Sequence, residues 1–141
     1  MKKRVGKVVL LGTLTSFASS ILLGAYGSHS IEWTRQFGTP ANEVADSIAV
    51  DGQGNAWVAG NTAGALPGHS SAGGADAFVR KYDANGNELW IRQFGTPGEE
   101  VANCIAVDGQ GNAWVAGYTT GALPGQSGAG GLDAFVLKYS R

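Results

Sequence analysis

From Ser47 onward the chain alternates short apolar runs with clusters of turn formers. Ser47-Ile48-Ala49-Val50 is followed by Asp51-Gly52-Gln53-Gly54-Asn55 and then by Ala56-Trp57-Val58-Ala59. Two such runs around a cluster of Asp, Gly and Asn predict a β-hairpin. Asp76 to Tyr82 predicts a third strand, with Phe78, Arg80 and Tyr82 on one face and Val79 and Lys81 on the other. Asp83-Ala84-Asn85-Gly86-Asn87 is the next turn, in which Asn-Gly is a strong hairpin signal because both residues tolerate positive φ. Leu89 to Phe94 is the fourth strand. No segment beyond residue 27 has a helical period with caps, so the fold class is all-β.

The unit is written twice. Residues 31–84 align with 88–141 at a fixed offset of 57 without a gap, with 39 identities in 54 positions. Arg35-Gln36-Phe37-Gly38-Thr39-Pro40 recurs at 92–97, Ile48 through Gly60 at 105–117, and Asp76-Ala77-Phe78-Val79 at 133–136. A fixed period of this size points to a repeat architecture. Four short antiparallel strands per period match one blade of a β-propeller.

The ordered pattern W-x-R-Q-F-G-T, I-A-V-D-G-Q-G-N, W-V-A-G-x-T and D-A-F-V-x-K-Y resembles the SBBP repeat family and covers nearly all of residues 31–141. The resemblance implies a propeller fold and an extracellular setting. It implies no particular activity and no functional residues. The stretch Asp83 to Trp90 is also similar to the repeats of quinoprotein propellers, which implies a quinone pocket and a calcium site that this chain does not encode alone.

The register of the turns predicts one complete blade from 46–51, 55–60, 76–83 and 88–94. Strands 103–108, 112–117 and 133–139 then form a second four-stranded blade that lacks its fourth member. Strand 31–37 is left without a blade, although its Trp33, Arg35 and Phe37 match Trp90, Arg92 and Phe94. An open edge is a template for another strand. The expectation is a partial propeller, either a fragment of a longer one or one completed by head-to-tail strand exchange between copies, with strand 31–37 of one chain closing the last blade of the next. Three chains would make six blades, and four would make eight.

Composition adds location. Lys2, Lys3, Arg4 and Lys7 precede Val8 to Leu23, sixteen residues without a charge, and small residues stand at Ala25 and Gly27. This is the three-part pattern of a secretory signal over residues 1–27. Residues 28–141 form the repeat domain, with six basic against eleven acidic groups. That balance and the absence of a basic patch argue against nucleic acid. The expected location is secreted, periplasmic or at the cell surface, with no membrane span in the mature chain.

Chemistry is sparse. The single cysteine, Cys104, excludes an internal disulfide and reads as a small core residue. The turn Asp51-Gly52-Gln53-Gly54-Asn55 offers too few oxygens for calcium and reads as a structural turn. Asp76 and Asp133 read as caps on nearby backbone N–H groups. Glu43, Glu99 and Glu100 read as solvated carboxylates, and the repeated tryptophans as packing between blades, with sugar platforms as the second reading. No catalytic residue, metal ligand or cofactor is expected, so the chain reads as a non-enzyme. The long connections 61–75 and 118–132 are the best binding surface. Their differing residues Asn61, His69, Tyr118 and Gln126 are the candidate contacts for a protein or carbohydrate ligand, with a lectin and a fragment of a propeller enzyme as alternatives. Cleavage after Gly27 predicts an exported chain that begins at Ser28, which N-terminal sequencing reads directly.

Overall fold

The computed structural model describes residues 29–140, so the signal expected over 1–27 lies outside the described residues. Among the described residues there are seven strands and no helix. Strands β1 (Glu43–Val50), β2 (Ala56–Thr62), β3 (Asp76–Tyr82) and β4 (Glu88–Phe94) form one antiparallel sheet in that order. Strands β5 (Glu100–Val107), β6 (Ala113–Thr119) and β7 (Asp133–Tyr139) form a second, three-stranded sheet. These are one blade and one blade short of its outer strand, in the predicted register.

The hairpin turns share one device. In 51–55, 83–87 and 108–112 the leading Asp accepts backbone N–H groups two and four residues on, and a side-chain N–H of the closing Asn. These bonds hold the loop in one shape and leave a single residue to turn left-handed. At 83–87 that residue is Gly86, with φ +76°. Asn85 keeps a negative φ, so only the glycine of the Asn-Gly pair uses the tolerance for positive φ on which that signal rested. The Gly86 N–H donates to Asp83 O at 3.0 Å and the Asp83 N–H to Asn87 O at 2.8 Å. This is a three-residue loop with a glycine bulge, and a second irregularity follows at Leu89, where the register slips between Lys81 and Tyr82.

β1 and β5 begin three residues earlier than their alternation predicts. Each contains a bulge, between Ala45 and Ser47 and between Val101 and Cys104, which breaks period two. The bulge brings the β1 backbone over Gly60, where a Cβ would stand 1.9 Å from Val44 O. Gly117 meets Val101 O at the same distance. With no side chain in the way, pairing runs on to Glu43↔Thr62 and Glu100↔Thr119.

The two sheets stack face to face. Trp57 and Val79 from the first sheet meet Ala102, Ile105, Val115 and Phe135 from the second, all buried. β4 lies at the outer side of this interface. Trp90 packs edge-on to Trp57, with centroids 5.3 Å apart, and against Tyr139 at 5.5 Å, while Phe94 meets Phe135 at 5.8 Å. Burying such rings contributes about 1.5–3 kcal/mol each, with about 0.5–1.5 kcal/mol more for a well-oriented pair.

Residues 33–37 join neither sheet. They run along the opposite face of the first blade, where Trp33 lies 6.1 Å from Tyr82 and Phe37 lies 5.5 Å from Phe78. The Trp33 indole donates to Ala84 O at 3.1 Å and the Arg35 guanidinium to Gly86 O at 2.6 Å. The Arg80 guanidinium sits 4.1 Å from the Phe37 ring centroid.

Gly60→Ala is expected to lower stability by about 1–3 kcal/mol through overpacking against β1. Gly52→Ala, where an added Cβ meets nothing within 4 Å, should leave stability within about 0.5 kcal/mol of wild type. Urea titration of the two variants checks the contrast.

Candidate functional site

The 57-residue repeat makes each position a control for its counterpart. Trp57 is 0% exposed and Trp114 is 43%; Val79 is 0% and Val136 is 69%; Ile105 is 5% and Ile48 is 63%. Trp57 and Trp114 have the same sequence neighbours and the other two pairs nearly so, so the difference lies in what covers them. The second blade covers the rear of the first, and the first blade covers the front of the second. The rear of the second blade is bare, and so is the β1 side of the front of the first, where Ile48 and Val50 are exposed beside residues 33–37 while Phe78 and Tyr82 are buried under them. Singly exposed apolar residues need no explanation, whereas contiguous ones make these surfaces the candidate site.

The front face holds a groove of about 570 Å³ between residues 33–37 and β1, floored by Ala56, Val58 and Tyr82 and edged by Ile48. A second groove, of about 550 Å³, runs along the free edge of β7, lined by Phe94, Leu123, Gln126, Phe135 and Leu137 among others. In the first blade the corresponding edge is filled by β4. There Gln93 fastens the loop between β2 and β3, accepting the Leu66 N–H at 2.9 Å and donating to Gly64 O at 2.9 Å and to Asp76 Oδ2 at 2.7 Å. The counterpart of Gln93 is Gln36, which is exposed in the free segment.

The loop residues singled out from the sequence divide. Asn61 and Tyr118 are strand residues of β2 and β6, not loop residues, because pairing extends past Gly60 and Gly117. His69 lies in the loop proper, with Nε2 3.3 Å from Ile91 O, so its ring rests on β4. Gln126 is exposed and lines the groove beside β7. The four residues do not form one site within either blade. Alternation alone does not say which face of each blade is bare, since the apolar positions of the strands recur in both copies.

The carboxylates are occupied in the fold. Glu100 is fully buried, not solvated as expected, and accepts the Thr96 N–H and hydroxyl at 2.6 Å each and the Thr119 hydroxyl at 2.5 Å. Glu43 does the same with Thr39 and Thr62 and is half-buried. These glutamates staple the Gly-Thr-Pro crossovers that enter each blade. Burial raises the Glu43 carboxyl, but the Thr39 and Thr62 hydrogen bonds outweigh it and hold it below the usual carboxylate range. Asp76 and Asp133 cap loop N–H groups from Ala72 and Ala129, as expected of them.

Asp51 is pulled harder. Burial raises it, but the side chain and N–H of Asn55, the Trp57 indole and the Gln53 N–H together hold it far below the usual range. Asp108 is held low first by Asn112 and then by Trp114 and Gln110, and Asp83 first by Asn87. Lys81, 3.5 Å from Asp51 and 4.1 Å from the Trp57 centroid, completes that buried cluster. Cys104 is exposed on the bulge of β5, not a core residue, and its counterpart Ser47 accepts the Ile105 N–H across the blade interface at 3.2 Å.

The family profile of the SBBP β-propeller repeat matches two consecutive segments, residues 32–67 and 89–124. The regulatory protein FlaEY of Caulobacter vibrioides is 31% identical over 147 aligned positions, which span 96% of this chain and 15% of that relative.

Each lowered carboxylate ionises more readily in the folded chain than in the unfolded one. Its contribution to stability is complete above the unfolded value of about 3.9 and is lost as pH falls from there through the lowered native value. Stability from urea titrations is therefore expected to hold from pH 7 to about 4 and then to decline steeply with acid. Asp51→Asn should lower stability at pH 7 by about 1–3 kcal/mol through donors left unpaired, and should flatten the acid limb. An unchanged acid limb in that variant would remove Asp51 from the account.

Proposed function

We propose, for a chain that belongs to the SBBP family of β-propeller repeats, a non-enzymatic role as a secreted or surface module that acts through docking. The observation that carries this is the pair of exposed apolar blade surfaces, whose Ile48, Trp114 and Val136 are the counterparts of residues covered inside the same chain. Blades of this kind work by what they stack upon.

Two further features support the reading. Glu43, Asp51 and Glu100 are engaged in turns and crossovers, where their lone pairs accept structural hydrogen bonds. The basic start followed by an uncharged apolar run supports export. A relative that bears a regulatory name fits a role exerted through binding, although this chain spans only 15% of it.

Fractionation of cells that express the chain from its own leader tests the proposal, together with a glycan array and a broad hydrolytic and redox screen. The expected result is recovery outside the cytoplasm and no turnover. A cytoplasmic chain refutes export, a turned-over substrate refutes the non-enzymatic role, and array signals that survive competition by free sugar move the reading to a lectin.

A further inference from the structure

The free segment and β4 hold the same pose, each toward the blade that follows it in the chain. Trp33–Tyr82 repeats Trp90–Tyr139 (6.1 and 5.5 Å, 36° and 41°). Phe37–Phe78 repeats Phe94–Phe135 (5.5 and 5.8 Å, 87° and 79°). Residues 33–37 therefore sit where the outer strand of a preceding blade sits, with the other three strands of that blade absent from the groove beside them. β5, β6 and β7 are three such strands lacking an outer one.

We propose that the occupant of both bare faces is a second copy of this chain. Its β5–β7 sheet pairs with residues 33–37 and lays its rear face on the front of the first blade. This rests on the reading of the chain as a docking module and names the partner. The segment need not swing out to be exchanged. It stays on its own blade and offers the neighbour a preformed strand. Carrying over the β3–β4 register, Phe37 pairs with Ala134, Arg35 with Val136 and Trp33 with Lys138 of the other copy. Gln36 then fastens the loop at Leu123 as Gln93 fastens the loop at Leu66.

The internal interface is the argument for this occupant, because the proposed contact continues it with the same residues. Trp114 meets Trp33 as Trp57 meets Trp90, and Cys104 stands against Ile48 as Ser47 stands against Ile105. The sequence also changes on both sides of the seam together. The ion pair Arg80–Glu88 joins β3 to β4, whereas the counterpart positions carry Leu137 and Ile31, an apolar pair. A charge kept on one side alone would lose its partner across the seam. The contact is heterologous and closes a ring when the rotation permits. Two to four copies give roughly the four to eight blades that propellers use.

Complementary blocking tests the head-to-tail sense. Ile48→Glu blocks only the front and Val136→Glu only the rear, and both side chains are exposed in the single chain, so folding is spared. Matching melting curves confirm that. In analytical ultracentrifugation and native mass spectrometry, wild type is expected as a closed assembly of a few copies and each variant alone as a monomer. Their equimolar mixture should give a heterodimer and nothing larger. Alkylation of Cys104 should be several-fold slower in wild type than in Ile48→Glu. A wild-type chain that stays monomeric at every soluble concentration overturns the proposal, and so does a mixture that does not pair. A monomer whose Ile48 face instead binds a glycan or a lipid vesicle overturns it too. Each of these outcomes leaves the docking role standing, whereas turnover or a cytoplasmic location undoes that role without touching the assembly.

Discussion

The stacking of one blade face on the next is the contact on which the rest of the structure depends. A four-stranded sheet of this composition is apolar on both sides, so no single blade can hide its own surface. Trp57 and Val79 are buried in a cluster shared with the second sheet, whose β5 lies against β1, β2 and β3. The outer strand is part of that contact as well as of its own sheet, since Trp90 and Phe94 reach forward to Tyr139 and Phe135. A blade without its outer strand loses both an edge partner and a lid for its neighbour.

Polar residues serve this stacking. The three Asp-to-Asn turns set the hairpin registers and thereby decide which side chains face the seam. Asp51 goes further, since its carboxylate also takes the indole N–H of Trp57 at 3.2 Å and fixes that ring where it meets Trp90. Glu100 closes the crossover that carries the chain from one blade to the next, and it does so from full burial. Satisfied buried networks of this kind stiffen a small structure, and each half-satisfied version would be costly. The repeat therefore keeps Asp51, Asn55, Thr39 and Glu43 together with their counterparts 57 positions on.

Much of this was legible in the sequence. The strand count, the hairpin order, the missing outer strand and the isolated segment at 31–37 all follow from alternation, turn residues and the repeat offset. What misled was local. The bulges in β1 and β5 interrupt alternation, so those strands start earlier than period two implies and draw Asn61 and Tyr118 out of the loops. Glu100 looked like a surface acid because Thr, Pro and Gly surround it. Its burial depends on Thr119, nineteen residues away, which no short window contains.

The sequence by itself determined the all-β class, the period and the identity of the pairing strands, because turn chemistry and side-chain alternation are properties of neighbours along the chain. Only the tertiary structure decided which of two identical faces is covered. Trp57 and Trp114 have the same sequence neighbours and opposite exposure, because burial belongs to whatever is stacked above a residue. The same holds for residues 33–37, whose sequence is that of an outer strand and whose place on the face of the first blade is set by Tyr82 and Phe78.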